Sequence, residues 1–228
     1  MEVAIIDYGA GNVFSVATAL ERLGARVCIT REEKTIRRAD RVIFPGVGQA
    51  EAAMHEAKET GRSSIMQGRI VTRSGKIRHL TITFSYMDGK VTPTLGQPVL
   101  GICLGMQLMC RHSEEGQVDG LGIFPLEVRR FPAGMKVPHM GWNTLSELRG
   151  PLFKGLPEEA WMYFVHSYYV PENDRAAACT CYGLRFAAAL EHENFFGCQF
   201  HPEKSSVGGR RVLENFLSKN IEKYRREQ

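Results

Sequence analysis

The chain has 228 residues, 43% hydrophobic and 24% charged, which excludes whole-chain disorder and allows one compact domain whose core needs no disulfide or metal staple. Its formal charge is +4, and the excess is local. Residues 62–92 hold six basic residues (Arg62, Arg69, Arg73, Lys76, Arg78, Lys90) against Asp88 alone, a net +5, so the other 197 residues sum to −1 and give no argument for nucleic-acid binding.

In chain order, Val3 to Ile6 is an apolar run ending at Asp7, followed by a turn with Gly9, Gly11 and Asn12 and an amphipathic pattern from Val13 to Leu23, closed by Gly24. This predicts strand, loop, helix. The pattern repeats in Val27 to Thr30 (strand), Glu32 to Ala39 (helix) and Arg41 to Phe44 (strand), the last running into Pro45-Gly46-Val47-Gly48. Such alternation predicts an α/β domain with a mostly parallel sheet flanked by helices. In such sheets ligands gather at the carboxyl ends of the strands.

A helix is expected from Ala50 to Thr60. Beyond it, Leu80, Ile82, Phe84 and Tyr86 alternate with polar residues, the period of a strand with one buried face. Ser74-Gly75 and Asp88-Gly89 read as two-residue turns, so Arg69 to Thr92 predicts a three-stranded antiparallel meander, an insertion over about residues 62–92 in a single domain of 1–228. Pro98 to Ile102 is then a buried strand that leads straight into Cys103. Short strands follow, and a last helix is expected over Gly209 to Arg226.

Gly101-Ile102-Cys103-Leu104-Gly105 has the form of a nucleophile elbow, with an apolar strand before it and a helical pattern after it. The glycines permit a tight turn that holds Cys103 in a strained conformation, and the backbone N–H groups that follow, beginning at Leu104, are aimed to receive an oxyanion. A thiol nucleophile needs a base, and the base needs an orienting group. His201-Pro202-Glu203, at the end of the apolar run Phe195 to Phe200, supplies both. The glycine-rich loop Gly46-Val47-Gly48 is the candidate second wall of the oxyanion hole. Gln107 and Glu115 follow as a polar pair that can grip the ammonium and carboxylate of an amino acid or simply form a solvated helix face.

The six cysteines lie in apolar contexts and are expected as reduced thiols, and Cys179-Thr180-Cys181 lacks the paired spacing of a zinc site. Neither a metal nor a cofactor is expected. No stretch approaches the roughly 18–20 apolar residues of a membrane helix, and the start has no basic segment followed by a long apolar run, so a cytoplasmic protein without membrane contact is expected.

With these residues in place the chain resembles the class I (triad-type) glutamine amidotransferases, and within them the glutaminase subunits of imidazole glycerol phosphate synthases. The resemblance rests on Asp7 to Asn12, Phe44 to Gly48, Gly101 to Gln107, Pro138 to Asn143, Tyr163 to Tyr168 and Gln199 to Lys204. Pro138-His139-Met140-Gly141-Trp142-Asn143 points to that subfamily in particular.

The resemblance implies hydrolysis of glutamine to glutamate and ammonia through a γ-glutamyl thioester on Cys103, with His201 and Glu203 completing the triad. It implies a heterodimer with a (β/α)8-barrel cyclase, which receives the ammonia through a channel and uses it in histidine biosynthesis. Gly48, Gln107, Glu115, Ser167 and Tyr168 would contact glutamine, Gly46 and Val47 would offer oxyanion backbone, and Asn12, Met140, Trp142 and Lys204 would face the partner. Two other readings are a glutaminase serving another acceptor synthase and a non-catalytic interaction subunit. The segment over 62–92 departs from the family pattern and can be a surface extension, an irregularity of the sequence or a recognition element.

Overall fold

A computed structural model describes residues 1–7, 13–46, 51–55, 64–71, 77–87, 90–93 and 95–224, with the backbone alone described between 51 and 93. Its elements run β1 (Glu2–Ile6), α1 (Val13–Arg22), β2 (Arg26–Thr30), α2 (Glu33–Arg38), β3 (Arg41–Phe44), β4 (Glu51–His55), β5 (Ser64–Val71), β6 (Ile77–Met87), β7 (Lys90–Pro93), β8 (Val99–Ile102) and α3 (Leu104–Leu108). They continue with β9 (Cys110–Ser113), β10 (Val118–Asp119), β11 (Phe124–Arg130), β12 (His139–Thr144), β13 (Trp161–His166), β14 (Tyr168–Pro171), β15 (Ala176–Tyr182), β16 (Leu184–His192), β17 (Phe195–Cys198) and α4 (Ser206–Leu217).

Five strands in the order β2-β1-β3-β8-β17 pair in parallel and form the half of the main sheet that carries the chemistry. Beyond β17 the sheet turns antiparallel through β16, β14 and β11, with β15 also on β16, and ends at β9 and β10.

Alternation along the parallel strands explains why helices cover both faces. Val3, Ile5, Ile43, Leu100 and Ile102 point to one face, where α1 (Val16, Leu20) and α4 (Val212, Leu213, Phe216) cover them. Ala4, Ile6, Val42, Phe44 and Val99 point to the other, under Ile36 of α2 and Leu104, Met106 and Leu108 of α3. Each fully buried Leu, Ile or Phe side chain contributes about 1.5–3 kcal/mol. Arg41 is buried without exposure and is satisfied by the carbonyls of Asp40, Phe216 and Ser218 and by Glu222, so it ties β3 to the end of α4.

The basic segment forms its own antiparallel sheet, in the order β4-β5-β6-β7. The meander predicted from alternation is present with a fourth strand, and Met87 pairs with Lys90 across the two residues expected at Asp88-Gly89. Val71 pairs with Ile77, and the turn expected at Ser74-Gly75 lies outside the described residues. One expectation is corrected. Glu51–His55 is strand β4, paired with Val71 to Gln67, where a helix over Ala50 to Thr60 was expected; ladder pairing overrides the local helix preference of a short Ala-rich stretch. Residues 56–60 lie outside the described residues.

The last helix is also shorter than expected. α4 ends at Leu217 and a 3₁₀ segment, Lys219–Tyr224, follows. Cys28 and Cys181 are exposed, so the apolar reading of the cysteines holds for Cys103, Cys110, Cys179 and Cys198 alone, although all six are free thiols.

Candidate active site

The strands β3, β8 and β17 are parallel neighbours, so the chain leaves all three at the same edge of the sheet. Phe44 leads there into Pro45 and Gly46, Ile102 into Cys103, and Cys198 into Gln199, Phe200 and His201. Cys103 has φ 52° and ψ −108° and is 7% exposed, with its amide held by Cys198 O at 2.7 Å. This is the strained elbow that the glycine frame predicts. A side chain at Gly105 would collide with Phe44 O, and one at Gly46 with Leu104 Cβ and Gly105 N. The elbow and the glycine-rich loop are therefore in direct contact, with Leu104 N–H at the unpaired start of α3.

His201 is fully buried, and its Nδ1 lies 2.9 Å from Glu203 Oε1, whose side chain is also out of contact with water. Its backbone is clamped: His201 N–H donates to Tyr163 O, Ser205 Oγ donates to His201 O at 2.6 Å, and Tyr163 N–H donates to Ser205 Oγ. Burial by itself lowers the pKa of His201, but Cys103 and Glu203 outweigh it and push the imidazole up to about 9. Its Nε2 has no hydrogen-bond partner among the described residues, as befits an atom kept for a reacting group.

Gln107 is buried and donates from Nε2 to Tyr168 O (3.0 Å) and to Gln199 Oε1 (2.9 Å). Both its N–H donors are thus used internally, which leaves its Oε1 to receive an N–H of a ligand. Ser167 and Tyr168 are half-buried between β13 and β14, and Tyr168 is joined to the cluster through its backbone carbonyl. Glu115 is half-buried on the β9–β10 turn, its amide bonded to Ser113 Oγ and its carboxyl raised above the ordinary range by burial. No hydrogen bond joins it to the cluster among the described residues. Met140 and Trp142, on β12, are 63% and 49% exposed, and Lys204 is exposed beside the triad. Asn12, Val47 and Gly48 lie outside the described residues.

Glu147, Glu172 and Cys179 bring three metal-ligating atoms together. The two carboxylates are bridged by Arg185, and Glu147 also pairs with Arg149. That cluster reads as an ion-pair network on the antiparallel half of the sheet.

Three comparisons agree. Residues 87–220 match the profile of the family described as "Glutamine amidotransferase class-I". "Imidazole glycerol phosphate synthase subunit HisH" of Bacteroides fragilis (strain YCH46) is 49% identical over 220 residues, covering 95% of this chain and 99% of its own. The protein of the same name from Moorella thermoacetica is 45% identical over 218 residues, covering 94% and 93%. The chain belongs to the HisH family of class-I glutamine amidotransferases.

Solved structures agree on the fold. One described as "Crystal structure of glutamine amidotransferase" superposes with a TM-score of 0.57 at 16% identity over 94% of this chain and 96% of that one. "Structure of PurLQS from Thermotoga maritima" gives 0.56 at 15% identity over 95% and 97%. The geometry adds three residues to the site, Gln199, His139 and His166. Each lies inside a motif on which the resemblance rests, but the sequence reading gives none of them a site role.

Proposed function

We propose that this chain is the glutaminase subunit of imidazole glycerol phosphate synthase and that Cys103, His201 and Glu203 carry out its chemistry. The observation that carries this reading is the buried Glu203–His201 pair beside a positive-φ cysteine at a parallel strand end. His201, raised to about 9 by Cys103 and Glu203, is basic enough to take the Cys103 thiol proton as the sulfur attacks. The thiolate attacks the side-chain amide carbon of glutamine. Negative charge on the carbonyl oxygen is received by N–H groups at Leu104 and the Gly46-Val47 loop. As the C–N bond breaks, His201 gives its Nε2 proton to the departing nitrogen, and ammonia leaves from a γ-glutamyl thioester. Neutral His201 then takes a proton from water, whose oxygen attacks the thioester, releasing glutamate and restoring the pair. Glu203 holds the imidazole ring through Nδ1 and balances its charge throughout.

Gln107, Glu115, Ser167, Tyr168 and Gly48 surround the glutamine in this reading, Gln107 through its acceptor oxygen and Glu115 as a carboxylate for the ammonium group. Met140, Trp142, Lys204 and Asn12 face a (β/α)8-barrel cyclase that uses the ammonia in histidine biosynthesis. Two exposed large hydrophobics on one short strand support that face as a docking surface. Among the described residues no helix is long and apolar enough to cross a membrane, and we place the enzyme in the cytoplasm.

The test is glutamate release from glutamine by the chain alone, with the barrel cyclase, and with the cyclase carrying its nucleotide ligand. Strong stimulation by the liganded partner is expected. Equal turnover in all three mixtures, or none in any, contradicts the reading.

A further inference from the structure

Besides His201, Cys103 Sγ meets two groups with opposite preferences. Val165 O lies 3.8 Å away and can only accept, so it favours a thiol that donates. Gln199 Nε2 lies 3.5 Å away and donates to the sulfur, which favours the thiolate. The direction of the second contact depends on which way the Gln199 amide is turned, and the network behind it fixes that choice.

The fixed point is the backbone oxygen of Tyr168, which can only accept. Gln107 Nε2 donates to it at 3.0 Å, and the other hydrogen of that nitrogen goes to Gln199 Oε1 at 2.9 Å. Gln199 must therefore turn its oxygen to Gln107 and its nitrogen to Cys103. The same Tyr168 oxygen takes a hydrogen bond from His166 Nδ1 at 2.7 Å. That fixes His166 as the Nδ1–H tautomer, so its Nε2 accepts from His139 Nδ1 at 3.0 Å, and His139 Nε2 in turn faces Asn143 Nδ2 at 3.4 Å. Both imidazoles are buried, and His139 stacks between Tyr182 and Phe164 with centroids at 4.1 and 5.0 Å. Every bond between Asn143 and the sulfur thus has an assigned donor, and the two branches meet at the Tyr168 oxygen, whose lone pairs accept from both His166 and Gln107.

We propose that Gln199 is a catalytic residue that donates a hydrogen bond to the Cys103 thiolate, that Gln107 is the positioning residue that locks its amide in the donating orientation, and that the His166–His139 pair holds the Tyr168 carbonyl on which Gln107 is anchored. The inference rests on Cys103 being the nucleophile. Without the Gln199 donor, the sulfur loses one hydrogen bond that favours the thiolate and keeps the Val165 carbonyl, which favours the thiol, beside the His201 imidazole.

The test is the rate of alkylation of Cys103 by iodoacetamide in the full-length chain, followed by peptide mapping across pH 5–10. Gln199→Leu and the near-isosteric Gln199→Glu, which replaces the donor by an acceptor, are compared with the unaltered chain. Both variants should shift the pH profile of alkylation upward and slow the reaction near neutral pH about tenfold, the effect of one pH unit. His166→Leu should shift it in the same direction by less. Thermal unfolding of each variant identifies any that fail to fold, and Gln199→Glu preserves volume where Gln199→Leu does not. An unchanged profile in a folded Gln199→Glu overturns the proposal. If Cys103 of the unaltered chain is alkylated no faster than exposed Cys28, the nucleophile reading itself fails, so the two failures are told apart.

Discussion

His201 Nδ1 and Glu203 Oε1 stand 2.9 Å apart with both side chains shut off from water, and Pro202 is the only residue between them in sequence. A carboxylate so placed can do little except bind the imidazole, because its other oxygen has no partner among the described residues. Glu203→Gln keeps the shape and removes the charge. Glutamate release in the stimulated complex should fall by roughly 10²–10⁴-fold, the scale seen when an orienting carboxylate is neutralised. The raised value of His201 stabilises the fold below its unfolded value of about 6.5, and this contribution is lost as pH rises through about 9. The variant should lose part of that alkaline dependence in urea titrations at pH 6 and 9.

The histidine pair predicts the opposite dependence. Burial lowers His139 to about 4 and His166 to about 3. Above the unfolded value of about 6.5 both are neutral in either state and their contribution is complete. As pH falls, the unfolded chain takes up protons that the folded chain refuses, and stability declines by up to ~1.4 kcal/mol per pH unit for each histidine. Urea midpoints measured at pH 7 and pH 5 should therefore drop steeply, and His139→Gln should shallow the decline.

Gly105 touches the carbonyl of Phe44, so any side chain there pushes the elbow away from β3. Gly105→Ala should destabilise the chain by more than about 3 kcal/mol, measured by chemical unfolding, because both contacting groups are backbone and neither can rotate aside.

Trp142 is half-exposed and leans edge-on against Tyr163, with ring centroids 6.0 Å apart. Trp142→Ala should weaken association with the cyclase at least tenfold, or about 1.4 kcal/mol, in calorimetric titration. Stability of the free chain should move by less than about 1 kcal/mol.

The legible features were those written in local chemistry. The Gly-x-Cys-x-Gly frame, the His-Pro-Glu turn and the alternation of Leu80 to Tyr86 each need particular residues at fixed spacings, and each appears where expected. Glu51–His55 misled because its Ala-rich composition suits a helix while its ladder partners, from Val71 back to Gln67, are distant in sequence. Gln199, His139 and His166 were passed over for a related reason. Their role depends on one carbonyl, that of Tyr168, to which two chain segments converge, and a backbone oxygen leaves no mark in a sequence.

The central claim is that Cys103 performs the glutamine chemistry of this chain, and Cys103→Ala in the complex with the cyclase tests it most directly. Product formation should be measured with glutamine and, separately, with an ammonium salt. The variant should lose glutamine-dependent synthesis and keep ammonium-dependent synthesis at the unaltered rate. Glutamine-dependent synthesis that survives the substitution would contradict the claim.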